Sequence, residues 1–214
     1  LTDVTGVQTC ALPILYSFYA TLLDTQKEYG KAVTMLNGAV EKFPSDSQLR
    51  FFLGSMYDRM GNKERTIEEM RKVLDIDAEH VQALNYLAYT YADLGIHLDQ
   101  AEELVRRALT LKPDDGYILD TLGWVLYKQG QTQEAIKYLE AAYKHKSSES
   151  VVAEHLGDAY YRFELTEKAK SMYIKAAEVE LDSDKKNKIE EKISVIEQEE
   201  SYKRRPASQS PAKK

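Results

Sequence analysis

Four histidines, a few adjacent carboxylates and a single cysteine are the residues from which catalysis or metal binding would have to be built. No two of His80, His97, His145 and His155 stand four apart, the spacing that brings two imidazoles on a helix to one zinc ion. Glu102 and Glu103, Asp114 and Asp115, and Glu190 and Glu191 are neighbours in the chain. Adjacent side chains on a helix diverge by about 100°, so these read as solvated charges or loop acids rather than a catalytic dyad. The sequence contains no glycine-rich phosphate loop, no G-x-S-x-G and no Ser/His/Asp grouping. The expectation is a protein without catalytic residues, cofactor or metal. What remains is recognition chemistry: fifteen tyrosines and one tryptophan, aromatic rings with one polar tip that are suited to half-buried positions and interfaces.

The elements that would hold those rings are short helices. From Gly116 to Tyr143, Leu119, Leu122, Gly123 and Leu126 fall on one helical face, and after Gly130 Ala135, Leu139 and Ala142 form a second. Gly123 and Ala135 are expected to mark the crossing, where two antiparallel helices approach closely only if the residues between them are small. The small residue recurs as Ala20, Gly54, Ala88, Gly123 and Gly157, with gaps of 34, 34, 35 and 34. The second helix keeps step with Ala32, Thr66, Ala101, Ala135 and Ala169. Five copies of a helix-turn-helix unit at this period, each with Tyr or Leu just before the small residue, resemble the tetratricopeptide repeat.

The resemblance implies an all-α, right-handed α-solenoid of five such repeats with a C-terminal capping helix. Residues 15–181 form the array, as helix pairs at about 15–28 and 30–42, 47–60 and 63–76, 81–94 and 98–111, 116–129 and 132–145, and 150–163 and 166–180. Some copies depart from the pattern. Thr66 replaces the usual Ala, Glu164 stands where Gly61, Gly95 and Gly130 close the first helix elsewhere, and the third copy has one extra residue near Gly95–Gln100. Beyond the array, Ile189, Ile193 and Ile196 make one apolar stripe among charges, so 184–199 reads as the cap that a stacked fold requires. Residues 200–214, with five basic residues and two prolines, read as a disordered basic tail.

Residues 1–14 are set aside from the fold. Val4 to Ile14, VTGVQTCALPI, resembles the translation of a common sequencing adapter and is read as artefactual, which also removes Cys10 from the chemistry. Upstream domains and any targeting signal would then be missing, which leaves the compartment open between bacterial cytoplasm and periplasm or cell envelope. A net charge of −6 and no apolar run near 18 residues argue against a nucleic-acid surface and against a membrane span.

One residue beyond the core positions of each first helix lies a second stripe, turned by about 100°. In the family this chain resembles, that stripe lines the concave face that holds peptide ligands. It contains Asn85, Tyr89, Asp120, Trp124, Tyr127, Glu154, Asp158 and Tyr161, with Tyr117, Lys128 and Arg162 one turn or one residue away. Chaperone-tail clamps of the family use Lys and Asn here. The run Ser17, Phe51, Asn85, Asp120, Glu154 has no Lys, and its acids favour a partner with apolar or basic features. The expected function is a non-catalytic scaffold for a peptide or protein segment. The alternative is an accessory region of a larger enzyme or envelope-assembly protein.

Overall fold

The computed structural model describes the backbone of residues 4–203 and the side chains of residues 12–202. Among these residues the chain forms eleven α-helices and no strand. They are α1 (Val4–Thr25), α2 (Tyr29–Lys42), α3 (Ser47–Arg59), α4 (Lys63–Ile76), α5 (Val81–Leu94), α6 (Leu98–Leu111), α7 (Gly116–Lys128), α8 (Thr132–His145), α9 (Ser150–Arg162), α10 (Thr166–Val179) and α11 (Ser183–Lys203). Helix α1 starts at Val4 rather than near Leu15 and so runs through most of the segment that the sequence reading set aside. Residues 200–203, expected to open the disordered tail, instead continue α11, and Leu1–Asp3 and the residues from Arg204 onward lie outside the described residues.

Each pair is punctuated by its own chemistry. Where a side chain caps a first helix it accepts from the opening turn: Asp46 from the Leu49 N–H, Asp115 from those of Tyr117 and Ile118, and the His80 ring from that of Ala83. Every first helix ends in the same two backbone bonds. The Asn62 N–H reaches Tyr57 O and that of Gly61 reaches Asp58 O, and the same two bonds recur at 28→23 and 27→24, 96→91 and 95→92, 131→126 and 130→127, and 165→160 and 164→161. This turn needs one left-handed residue. Gly61, Gly95 and Gly130 supply it with φ of 74°, 69° and 85°, whereas Lys27 and Glu164 are held there at 57° and 61°. The extra residue of the third copy is taken up just after Gly95. His97 also adopts a left-handed φ of 49°, with its ring 5.2 Å from that of Tyr91.

The chain divides into two compact units, Leu1–Pro113 and Asp114–Lys214. In the first, α1–α2, α3–α4 and α5–α6 are antiparallel pairs, with α2 against α3 and α4 against α5. Leu23, Leu36, Leu49, Leu53 and Met56 belong to one buried cluster there. In the second, α7–α8 and α9–α10 pair, α8 and α7 meet α9, and α11 lies on α10 with Ile189 and Ile196 buried.

In the three copies where the small residue is glycine, its nearest neighbour is not the one that the sequence suggested. A Cβ on Gly123 would lie 2.6 Å from Leu139 Cγ, not against Ala135. Gly54 likewise faces Met70, and Gly157 faces the Tyr173 ring. The seated side chain is sixteen residues on in all three, one helical turn past the expected contact. Thr66 fits the Ala position because its hydroxyl bonds back to Asn62 O at 2.9 Å, which satisfies a polar group buried in the crossing.

Candidate interaction surface

The predicted residues divide between the two units. Asn85 and Tyr89 lie on α5 in the first, both half-buried, and the Asn85 side-chain oxygen is buried without a hydrogen bond among the described residues. The other nine lie on α7 and α9 of the second unit.

On α7, Trp124 and Tyr127 are one turn apart, and their rings stack at 4.9 Å and 11°. His155 of α9 stacks on Trp124 at 4.0 Å and 12°. The Arg162 guanidinium lies 3.5 Å over the Tyr127 ring and donates to Tyr127 O at 2.6 Å. Lys128 Nζ lies 5.3 Å from the Trp124 ring centre. Four planar groups, His155, Trp124, Tyr127 and Arg162, are thus linked face to face from the interior of the unit to its surface. Trp124 is half-buried, and its indole N–H is buried without a hydrogen bond among the described residues. A buried donor left unbonded costs about 1–3 kcal/mol.

Asp120 requires correction. It is 5% exposed, and both of its carboxylate oxygens lie 3.0–3.1 Å from His155 Nδ1, so it orients the histidine and does not face a ligand. Burial alone would lower the His155 pKa. The Asp120 carboxylate, aided by Asp158 and Glu154, outweighs burial and raises it above the ordinary value.

Glu154 and Asp158 are also spoken for. Lys192 of α11 reaches them at 2.7 and 2.6 Å, and the buried Tyr173 hydroxyl of α10 donates to Asp158 at 2.7 Å. Burial works against the Lys192 charge, yet Asp158 and Glu154 raise its pKa. The Tyr161 hydroxyl donates to Glu199 at 2.7 Å, and that of Tyr117 donates to Glu149 at 2.8 Å beneath Lys146. The preference for a basic partner inferred from these acids is therefore met within the chain by α11. Lys192, Glu199 and Tyr173 were missed in the sequence. The available signal was the excess of acid on the α9 stripe and one lysine three residues after Ile189 on the only apolar face of α11. Among the described residues no group of His, Cys, Asp and Glu is arranged to hold a metal, and no helix is long and apolar enough to cross a membrane.

Residues 47–80 and 116–148 each match the tetratricopeptide repeat family. A TPR repeat-containing protein of Pseudomonas aeruginosa is 31% identical over 144 residues, which is 67% of this chain but 24% of that protein, so the chain spans about a quarter of its relative's length. Among solved structures, a thermophilic TPR protein of Thermus thermophilus superposes with a TM-score of 0.69 at 16% identity, over 86% of this chain and 97% of the other. MamA of Desulfovibrio magneticus gives 0.64 at 18% identity, over 77% and 93%. At such identities the structural matches speak for the fold alone. Five copies of one turn, a small residue seating its partner sixteen positions on, and direct matches in two copies lead to one conclusion: the chain belongs to the tetratricopeptide repeat family.

Proposed function

We propose that this chain is a non-catalytic scaffold that holds a segment of another protein against the α7–α9 surface centred on Trp124, Tyr127 and Arg162. Tetratricopeptide repeats as a class serve protein–protein interaction, and the finer assignment rests on one observation. The linked run of planar groups ends in an exposed arginine at the surface and contains an indole N–H with no bond among the described residues. Rigid aromatic and guanidinium groups of this kind lose little conformational entropy on contact and are the residues that most often anchor interfaces. With Asp120, Glu154 and Asp158 engaged inside the unit, the surface suits an extended segment with an apolar or aromatic side chain for the Trp124–Tyr127 stack and carbonyl or carboxylate groups for Arg162.

The test compares capture of partners by the parent chain, by Arg162→Ala, by Trp124→Ala combined with Tyr127→Ala, and by Glu103→Ala on α6. Arg162 is exposed, so its loss should weaken capture without lowering helicity, by about 2 kcal/mol or more if it is an anchor. The aromatic double variant should weaken capture further, and Glu103→Ala should match the parent. Equal capture by all four chains would reject the assignment. That the chain spans 24% of its Pseudomonas relative favours a second reading compatible with the first, in which this scaffold is one region of a larger protein.

A further inference from the structure

Helix α11 is clipped to α9 near both ends of a shared stretch and leaves a gap between the clips. It is seated on α10 by Ile189 and Ile196. Lys192, three residues after Ile189, reaches Glu154 and Asp158 at 2.7 and 2.6 Å. Glu199, three residues after Ile196, accepts from the Tyr161 hydroxyl at 2.7 Å. The contacts advance together, from 154 to 161 on α9 and from 192 to 199 on α11, so the two helices run side by side in one direction over about 10 Å at 1.5 Å per residue.

Between the clips lies a cleft of about 220 Å³, lined by Asp158 and Tyr161 of α9, Tyr173 of α10, and Lys192 and Val195 of α11. Its chemistry is set by which atoms are already bonded. The Asp158 carboxylate accepts from both Lys192 and the Tyr173 hydroxyl, and the Tyr161 hydroxyl is turned to Glu199. What the cleft offers an occupant is therefore carbon: the two tyrosine rings, the methylenes of Lys192 and the methyls of Val195. Val195 is 48% and Tyr161 36% exposed, so this apolar wall is open to water. A charged occupant would have to break a completed acid–base set, whereas a neutral one complements it. The volume is below the about 300–1,000 Å³ of small-molecule sites and suits a single side chain.

The cleft adjoins the Trp124–Tyr127–Arg162 surface. Tyr161 and Arg162 are consecutive on α9. Burial raises the pKa of the Tyr127 hydroxyl, and the charges of Arg162, Asp158 and Lys192 all act on it, which places that hydroxyl beside the ion pair at the base of the cleft.

We infer that the α9–α11 cleft is the pocket for one large apolar side chain, of leucine or phenylalanine size, in the segment held at Arg162. The inference rests on the proposal that the Trp124–Tyr127–Arg162 surface is the binding face, and it adds a second anchor there. The partner segment then carries one apolar group for the Trp124–Tyr127 stack, an acceptor for Arg162 and one apolar group for the cleft. Helix α11 is part of the binding face as well as the cover of α10.

The test selects phage-displayed random peptides on the full chain and measures the selected peptides, synthesised with a fluorescent label, by anisotropy. Val195→Trp fills the cleft from its exposed rim, and circular dichroism checks that helicity is kept. Val195→Ser, which removes the methyl wall without adding bulk, is the second variant. The selected peptides should share one large apolar residue and bind both variants more weakly than the parent. Replacing that residue by alanine should weaken binding to the parent at least about tenfold but to Val195→Trp less than about twofold, because the pocket is already filled there. Peptides that depend on Arg162 yet bind both Val195 variants as they bind the parent would overturn the cleft and leave the binding face standing. Peptides led by lysine or arginine that lose binding on Asp158→Asn would also overturn it, by assigning the site to a cation that displaces Lys192. If no selected peptide responds to either Val195 variant or to Arg162→Ala, the cleft and the binding face both fail.

Discussion

Gly123 and Gly54 hold one position of the repeat, yet they should answer differently to a single methyl group. At Gly123 a Cβ meets Leu139 Cγ at 2.6 Å and the Leu139 backbone nitrogen at 3.2 Å, so the two helices must part. At Gly54 its nearest neighbour is the tip of Met70 at 2.8 Å, which can swing away, although Glu69 Cβ at 3.2 Å is tight. Alanine recovers about 1 kcal/mol of helix propensity at either site. Against an overpacking cost of about 1–3 kcal/mol, Gly123→Ala should be destabilising and Gly54→Ala close to neutral, as read from denaturant midpoints. The buried His155–Asp120 pair makes a second prediction. The folded pKa of His155 is raised, so its contribution is complete below the unfolded value of about 6.5 and is lost as pH rises through the folded value. Stability should fall over that interval in the parent, and Asp120→Asn should remove the dependence. Equal slopes in the two proteins would contradict the pairing. At this scale the sequence showed which residue types share the stripe but not their partners. Asp120 reads as a surface acid until α9 brings His155 thirty-five residues away against it, and no local pattern encodes that approach.

The helices themselves were legible because their punctuation is local. Glycines at 61, 95 and 130 and the apolar spacing place α2 to α10 within a residue or two of their observed ends. The exceptions have physical reasons. Helix α1 continues upstream of Leu15 to Val4, through a stretch whose apolar residues do not repeat with the array, and α11 extends to Lys203 beyond the end of its isoleucine stripe. One consequence of the shared turn is testable. Glu164 is held at a φ of 61° in the role that glycine fills in three other copies. A left-handed conformation costs a non-glycine residue about 1–2 kcal/mol, and glycine's greater unfolded freedom returns about 0.5–1 of that. Glu164→Gly should therefore stabilise the chain by up to about 1 kcal/mol in chemical denaturation. A loss of stability would show that the side chain itself contributes at this turn.

For the molecule as a whole, each unit has its own buried core, and in a repeat protein a local defect acts mainly on its neighbours. The same modularity leaves surface unspent, and in the second unit it is the Trp124–Tyr127–Arg162 surface. Recognition there is the central claim, and site-specific photocrosslinking tests it without relying on a destabilising substitution. A photoreactive residue placed at the exposed Phe163, beside Arg162, and another at the exposed Lys144 of α8, would be activated in the presence of cell lysate. The account predicts a discrete adduct from position 163, competed away by excess unlabelled parent chain, and none from position 144. Adducts from 144 alone, or equal adducts from both positions, would contradict it.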